Sequence, residues 1–346
     1  MKSWDVIIAG AGIIGVSLAL ELRERGLAAL VLDRAEPGGE ASSAAAGMLA
    51  AADPETPPAL RPVAFESARM FPEFVRKLET AGKMQVDFRR VGTIALLHEA
   101  PAPAEYRRLS TDELQHLEPS LQIAGQSAFF VQEDSVDPSL LMQAALAAAR
   151  NLGVKIRGHV AVRNIRSRAE AAEVLTDADT FSARLVVDCR GAWSGAPVRP
   201  RKGQMLYVQP RTAMLQHVLR APDVYLVPRS SGKVLVGATV EDVGYDKSVD
   251  PATIHSLLSA ATKYLPDLVS APITQSWAGL RPGTPDDRPI IGPTETPGVF
   301  VASGHFRNGI LLAPITAKIM AGLVEGRPSS LDIGAFAPSR FRSALK

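Results

Sequence analysis

The first thirty-three residues constrain this chain most tightly. Trp4 to Ala9 (Trp-Asp-Val-Ile-Ile-Ala) is short, apolar and β-branched, the pattern of a parallel strand buried on both faces. Gly10-Ala-Gly12-Ile-Ile-Gly15 turns the chain. Ile13 to Arg25 then has helical spacing, with Leu18, Ala19 and Leu22 on one side and Glu21 and Arg25 on another. Gly26 suits the position just past a helix end, and Ala28 to Leu32 reads as a second strand closing on Asp33. The result is a β-α-β unit.

The spacing within this unit matches a dinucleotide fingerprint. Gly10 makes the tight turn, Gly12 admits a pyrophosphate and Gly15 lets the helix pack close to the strand. Asp33, eighteen residues after Gly15, is placed to bind ribose hydroxyls, and its charge disfavours the 2′-phosphate of NADP. An ordinary glycine-rich turn would not require the acid. FAD and NAD both remain open at this point. Gly38-Gly-Glu-Ala-Ser-Ser-Ala-Ala-Ala-Gly-Met48 weighs toward FAD, because small residues and hydroxyls directly after the acid could let backbone lie along the pyrophosphate and reach a flavin ring. A helix whose alanines merely pack closely is the alternative.

A length of 346 residues suits about two domains. With 46% hydrophobic and 21% charged residues, the composition is that of an ordinary soluble globular protein. The net charge of +2 gives no field that argues for nucleic acid or an acidic membrane surface. A single cysteine, Cys189, excludes an intrachain disulfide, and no Cys/His cluster suggests a metal. Glycines at 10, 12 and 15 interrupt the N-terminal apolar run, so it reads as structure rather than as a secretion signal. No run reaches a membrane span; a cytoplasmic location is expected.

Ala51 to Pro62, with four prolines, reads as an irregular surface connection. Val63 to Thr80 reads as a helix that Pro72 bends or breaks. Further on the pattern shifts to strands separated by turns: Phe88 to Leu97, Ser127 to Gln132, Gly203 to Gln209, Val224 to Val227 and Lys233 to Ala238. Ser110 with Glu113 fits a capping box, and Asp137-Pro138 opens a helix that stops at Gly153. Arg184 to Asp188 and Val299 to Ala302 return to the buried-strand pattern, and Gly309 to Glu325 forms a closing helix. Arg340 to Lys346 reads as a frayed basic tail. The expected fold is α/β (α+β overall): a Rossmann-like nucleotide-binding domain with a mainly antiparallel sheet domain inserted through it. The first takes residues 1–82, 138–198 and 286–346, the second 83–137 and 199–285.

Near the C-terminus, Arg281 and Arg307 stand among glycines and prolines just before the apolar closing helix. Arginine's planar fork can bind both oxygens of a carboxylate. A structural ion pair of Arg281 with Asp286 or Asp287 is the competing reading.

Several runs now carry a resemblance: Gly10–Gly15, Ser42–Met48, Val186-Val-Asp-Cys-Arg-Gly-Ala-Trp-Ser-Gly195, Tyr225-Leu-Val-Pro-Arg229, Val236–Thr239, Trp277–Thr284 and Gly304–Pro314. The chain resembles the glycine oxidase branch of the D-amino acid oxidase family of flavoproteins, over nearly its whole length. The resemblance implies noncovalent FAD and oxidative deamination of glycine or similar small amines by O₂. Imine or glyoxylate, ammonia and H₂O₂ would be released, and the imine could feed thiazole synthesis for thiamine.

Carried over by residue, the resemblance makes Arg281 the carboxylate clamp, puts the Tyr225 hydroxyl near the same group, and sets Arg307 and Met48 beside the substrate. Ile13, Ile14, Asp33, Arg34, Ser42, Ser43, Ala46, Gly47, Met48, Val162 and the run His305, Phe306, Arg307, Asn308, Gly309, Ile310 and Leu311 would line FAD, with Gly10, Gly12 and Gly15. No side-chain base is expected; His305 reads as a structural residue or a backbone contact. The helix at Gly309 should point its N-terminus at the flavin. Ala41 stands where a hydroxyl is usual, and Cys189 where a small residue is usual. Cys189 lies far from the position at which sarcosine oxidases attach flavin, so covalent flavin is not expected. A homo-oligomer is expected. Competing readings are an amine dehydrogenase using a quinone, an oxidase of sarcosine or proline, and a noncatalytic FAD-binding protein.

Overall fold

Two large sheets carry the fold of this computed structural model, which describes residues 4–98, 102–168 and 171–345. The first runs in the order Ile290–Pro293, Val299–Ser303, Thr180–Asp188, Trp4–Ala9, Ala29–Leu32, Lys155–Arg157. Along this order all neighbours are parallel except at the edge strand Ile290–Pro293, while Val162–Arg168 and Ala171–Thr176 extend the sheet as an antiparallel hairpin paired to Thr180–Asp188. The expected β-α-β unit forms its centre. Ile7 and Ile8 are fully buried on opposite faces, as a strand covered on both sides requires. The register sets Ala9 level with Leu32 and Asp188, so Gly10, Asp33 and Cys189 emerge together at the carboxyl ends of the strands. Ligands bind there in open parallel sheets.

Helices Ile13–Glu24, Arg61–Gly82, Pro138–Asn151 and Gly309–Val324 pack together against one face around Leu18, Leu22, Phe71, Ala145 and Met320. Asp137 caps Pro138–Asn151 through the N–H groups of Ser139 and Leu140.

The second sheet runs Ile273–Gly283, Arg199–Val208, Val234–Gly237, Tyr225–Pro228, Val218–Arg220, Thr93–Leu97, Ser127–Val131, Arg107–Arg108. It is antiparallel except where Val218–Arg220 meets Thr93–Leu97. Helix Pro251–Thr262 covers one face, burying Ile254 and Leu257 against Leu206, Leu226 and Val236.

Several expectations are corrected. Helix Arg61–Gly82 runs unbroken through Pro72. The single strand expected over Phe88–Leu97 is two, Phe88–Arg89 and Thr93–Leu97, in different sheets. The segment after Ala51 is not wholly on the surface, because Ala51, Ala52, Thr56 and Leu60 are buried. The basic tail is tied down at Arg340, whose Nε donates to Asp286 at 2.9 Å; Lys346 lies outside the described residues, as do the first three residues. Among the described residues no helix is long and apolar enough to cross a membrane, and no group of His, Cys, Asp and Glu could hold a metal ion.

Candidate active site

A cavity of about 920 Å³ lies between the two sheets. At its nucleotide end, Gly10 has φ +108°, and a Cβ there would stand 2.3 Å from the Cys189 carbonyl oxygen. No other residue fits. The Asp33 carboxylate accepts from the N–H of Ala11 at 2.7 Å and of Ala35 at 3.0 Å. Ser42 Oγ accepts from the Ile13 N–H at 2.9 Å, docking the small-residue loop onto the helix start. Gly12 heads that helix without a side-chain cap and lines the cavity with Ile13 and Ile14. A helix N-terminus with room for close backbone approach suits the pyrophosphate of FAD.

The loop that follows is held by the opposite sheet. Arg229, buried, donates from Nη2 to the Ala46 carbonyl at 2.6 Å and from Nη1 to the Val136 carbonyl at 3.0 Å. Trp277 Nε1 donates to the Ala44 carbonyl at 3.1 Å. Both residues stand at the ends of motifs quoted above, but spacing alone assigns neither side chain this role. A charged residue ending the apolar run Tyr225–Pro228 was the available signal for Arg229. On the other wall, Asp188 accepts from Arg190, Ser194 Oγ and the Gly195 N–H, and Arg190 Nη1 reaches the Val162 carbonyl at 3.1 Å. The Val186–Gly195 motif is therefore organised around Asp188.

Deeper in the cavity, Arg281 lies near the end of the edge strand Ile273–Gly283. Its Nη1 donates to the Thr239 carbonyl at 3.0 Å. Among the described residues it has no carboxylate partner. Asp286, the expected competitor, instead pairs with Arg288 at 2.7 Å and with Arg340. Tyr225 is half-buried in the same wall, its hydroxyl 3.4 Å from Met205 Sδ. Burial pushes its phenol up, against the pull of Arg281, so the hydroxyl stays a donor. Arg307, exposed at the rim, pairs with Glu55 and approaches Asp53 at 3.9 Å. His305 is buried with Nε2 3.1 Å from Thr316 Oγ1, and burial lowers its pKa to about 3, so it is neutral. The closing helix begins at Gly309 with no side-chain cap, and Asn308, Gly309 and Ile310 line the cavity.

The cavity wall thus gathers Gly10, Gly12, Ile13, Ile14, Asp33, Arg34, Ser42, Ala46, Gly47, Met48, Val162, Tyr225, Arg281 and His305 to Ile310. Three expected residues stand outside it. Gly15 packs the helix against the strand, where a Cβ would lie 2.0 Å from the Gly10 carbonyl oxygen. Ser43 turns its hydroxyl to the Gly38 carbonyl at 2.7 Å. Leu311 is buried in the helical core, one residue past the end of the helix that faces the cavity.

Known proteins resemble this chain in sequence and in fold. The DAO family, FAD dependent oxidoreductase, matches residues 5–323. The chain is 36% identical over 354 residues to the Bifunctional protein ThiO/ThiG of Synechocystis sp., covering 97% of this chain but only 54%, about half, of that relative's length. It is 34% identical over 361 residues to the glycine oxidase of Bacillus licheniformis, covering 98% of each. Its structure superposes on glycine oxidase from Geobacillus kaustophilus with a TM-score of 0.93 and 30% identity, over 98% of this chain and 99% of the other. With a glycine-built nucleotide cradle at one end of the cavity and a carboxylate-free arginine at the other, the chain belongs to the DAO family of FAD-dependent oxidoreductases.

Proposed function

We propose that this FAD-dependent amino acid oxidase deaminates glycine and similar small amines, such as sarcosine and small D-amino acids, with O₂ as acceptor. The observation that carries this reading is the Arg281 guanidinium, facing the cavity beside Tyr225 with no carboxylate partner among the described residues. Substrate carboxylate would complete its charge, and the Tyr225 hydroxyl would donate to the same group. Fixing the carboxylate leaves the Cα–H and the amine as the only free handles, and orientation of this kind supplies several kcal/mol of rate acceleration. FAD, held by the Gly10–Gly15 turn and Asp33, would supply the acceptor for the hydride from Cα. The amine must first be neutral. His305 is held neutral and hydrogen-bonded in the core, and Glu55 is engaged by Arg307, so we assign the ammonium proton to water. The two-electron oxidation gives the imine while O₂ becomes H₂O₂; water then converts the glycine imine to glyoxylate and ammonia.

In this reading residues 1–82, 138–198 and 286–346 form the FAD-binding domain, and 83–137 with 199–285 the substrate domain. Supply of the imine to thiazole synthesis, a cytoplasmic location and a homo-oligomeric state are further parts of the proposal. The likeness to proteins named glycine oxidase and ThiO/ThiG supports the first of these. The test is direct: purify the protein, record its flavin spectrum, and assay H₂O₂ with glycine, sarcosine and D-alanine. A colourless protein sinks the reading. Flavin reduction by glycine without H₂O₂ would assign a dehydrogenase instead.

A further inference from the structure

Residues 241–248 link strand Val234–Gly237 to helix Pro251–Thr262, and they cross from the second sheet to the loops of the first. Their base is fixed on the second sheet: Glu241 and Lys202 exchange backbone hydrogen bonds at 2.9 Å, and Lys202 Nζ lies 3.6 Å from Asp246. Their tip rests on the other wall. Tyr245 stacks on Trp193 with ring centroids 5.6 Å apart, and its hydroxyl donates to the Ala192 carbonyl at 2.9 Å. Lys247 pairs with Glu40 at 3.1 Å. Beyond Trp193, the Arg34 guanidinium lies 3.7 Å from that ring's centroid and pairs with Glu40 at 2.6 Å.

Arg34, Glu40 and Trp193 line the cavity at its Asp33 end, and Tyr245 does not. The tyrosine remains 55% exposed, unusual for a stacked aromatic that serves only as core. It closes a gap between the two lobes without filling either core. We propose that residues 241–248 are a clasp that gates FAD exchange: the cofactor enters and leaves when Tyr245 unstacks from Trp193. This rests on the reading that the Asp33 end of the cavity takes the adenosine half of FAD. The stack and the tyrosine hydrogen bond hold the clasp shut, since the half-exposed Lys247–Glu40 pair is worth little.

The experiment follows FAD release from the holoenzyme, and FAD rebinding to the apoprotein, by flavin fluorescence in wild type, Tyr245→Ala and Lys247→Ala. Loss of one stack and one hydrogen bond should speed release roughly tenfold in Tyr245→Ala. Rebinding should also accelerate, because a gate slows both directions. Lys247→Ala should change both rates less than about threefold. The unfolding midpoint of the apoprotein should hold in both variants. Unchanged rates in Tyr245→Ala overturn the clasp. Faster release with unchanged rebinding also overturns it, marking Tyr245 as a simple contact, and so does a matching fall in apoprotein stability. A wild-type protein that binds no FAD would refute the cofactor assignment itself, a failure distinct from these.

Discussion

The guanidinium of Arg281 fills the space that a side chain at Gly203, on the adjacent strand, would need: a Cβ there would lie 2.2 Å from Nη1 and 2.5 Å from Cζ. In the proposed function, glycine at 203 would thus leave room for the carboxylate clamp without touching the substrate. Arg281→Ala should raise KM for glycine roughly 10- to 100-fold, the worth of one charged hydrogen-bond pair. Gly203→Ala should push the guanidinium aside and raise KM in the same direction. FAD content should stay at wild-type level in both, read from flavin absorbance per chain. Wild-type KM in either variant would reject the assigned contact.

Gly10 sets a different limit. Any side chain there meets the Cys189 backbone at 2.3 Å, and φ +108° is strained for an L residue. Gly10→Ala should therefore part the first strand from Thr180–Asp188 at the cofactor end, and the variant should purify with little flavin. Full flavin occupancy would show that the cradle tolerates a methyl group.

Burial holds the His305 pKa at about 3, against 6.5 in an unfolded chain. Between those values the unfolded chain binds the extra proton, so acid favours unfolding. The contribution is complete above about pH 6.5 and is lost as pH falls below it, at no more than about 1.4 kcal/mol per pH unit. Thermal midpoints measured from about pH 7 to about pH 5 should fall less steeply for His305→Gln than for wild type. Equal slopes would assign the acid sensitivity to other groups.

Cys189 is buried, and burial raises its thiol well above the ordinary value. A thiol reagent should label nothing in the native protein and one cysteine per chain after unfolding in guanidinium. Acid precipitation should leave all flavin in the supernatant. Yellow precipitate would show a covalent bond and revise the cofactor chemistry.

Local signals made much of this fold legible. The first β-α-β unit, the Asp137 cap and the Ser110–Glu113 capping box each lie within a few residues of the partners that define them. Helix Pro251–Thr262 has the same Asp-Pro opening, capped by Asp250, but the weaker strand patterns around it mask the signal. Ile273–Gly283 defeats local reading because two glycines and Pro282 interrupt it. It can be a strand because it is an edge, where proline costs no ladder bond on the open side. Arg229 and Trp277 hold the small-residue loop through carbonyls 183 and 233 residues away in sequence. No spacing rule reaches so far. The competing pair of Arg281 with Asp286 rests on sequence proximity alone, which conceals Arg340, the residue that reaches Asp286 across the fold.

The central position of Thr180–Asp188 also bears on synthesis. Trp4–Ala9 leaves the ribosome with its fully buried isoleucines ready and soon meets Ala29–Leu32 on one side, yet its partner on the other side, Thr180–Asp188, emerges only much later. Val299–Ser303 follows later still. Pairings so distant in sequence form slowly, and they leave an apolar strand uncovered while they wait. A nascent chain of this topology is a natural client for a chaperone, and its yield on expression should depend more on protection during translation than on the stability of the finished protein.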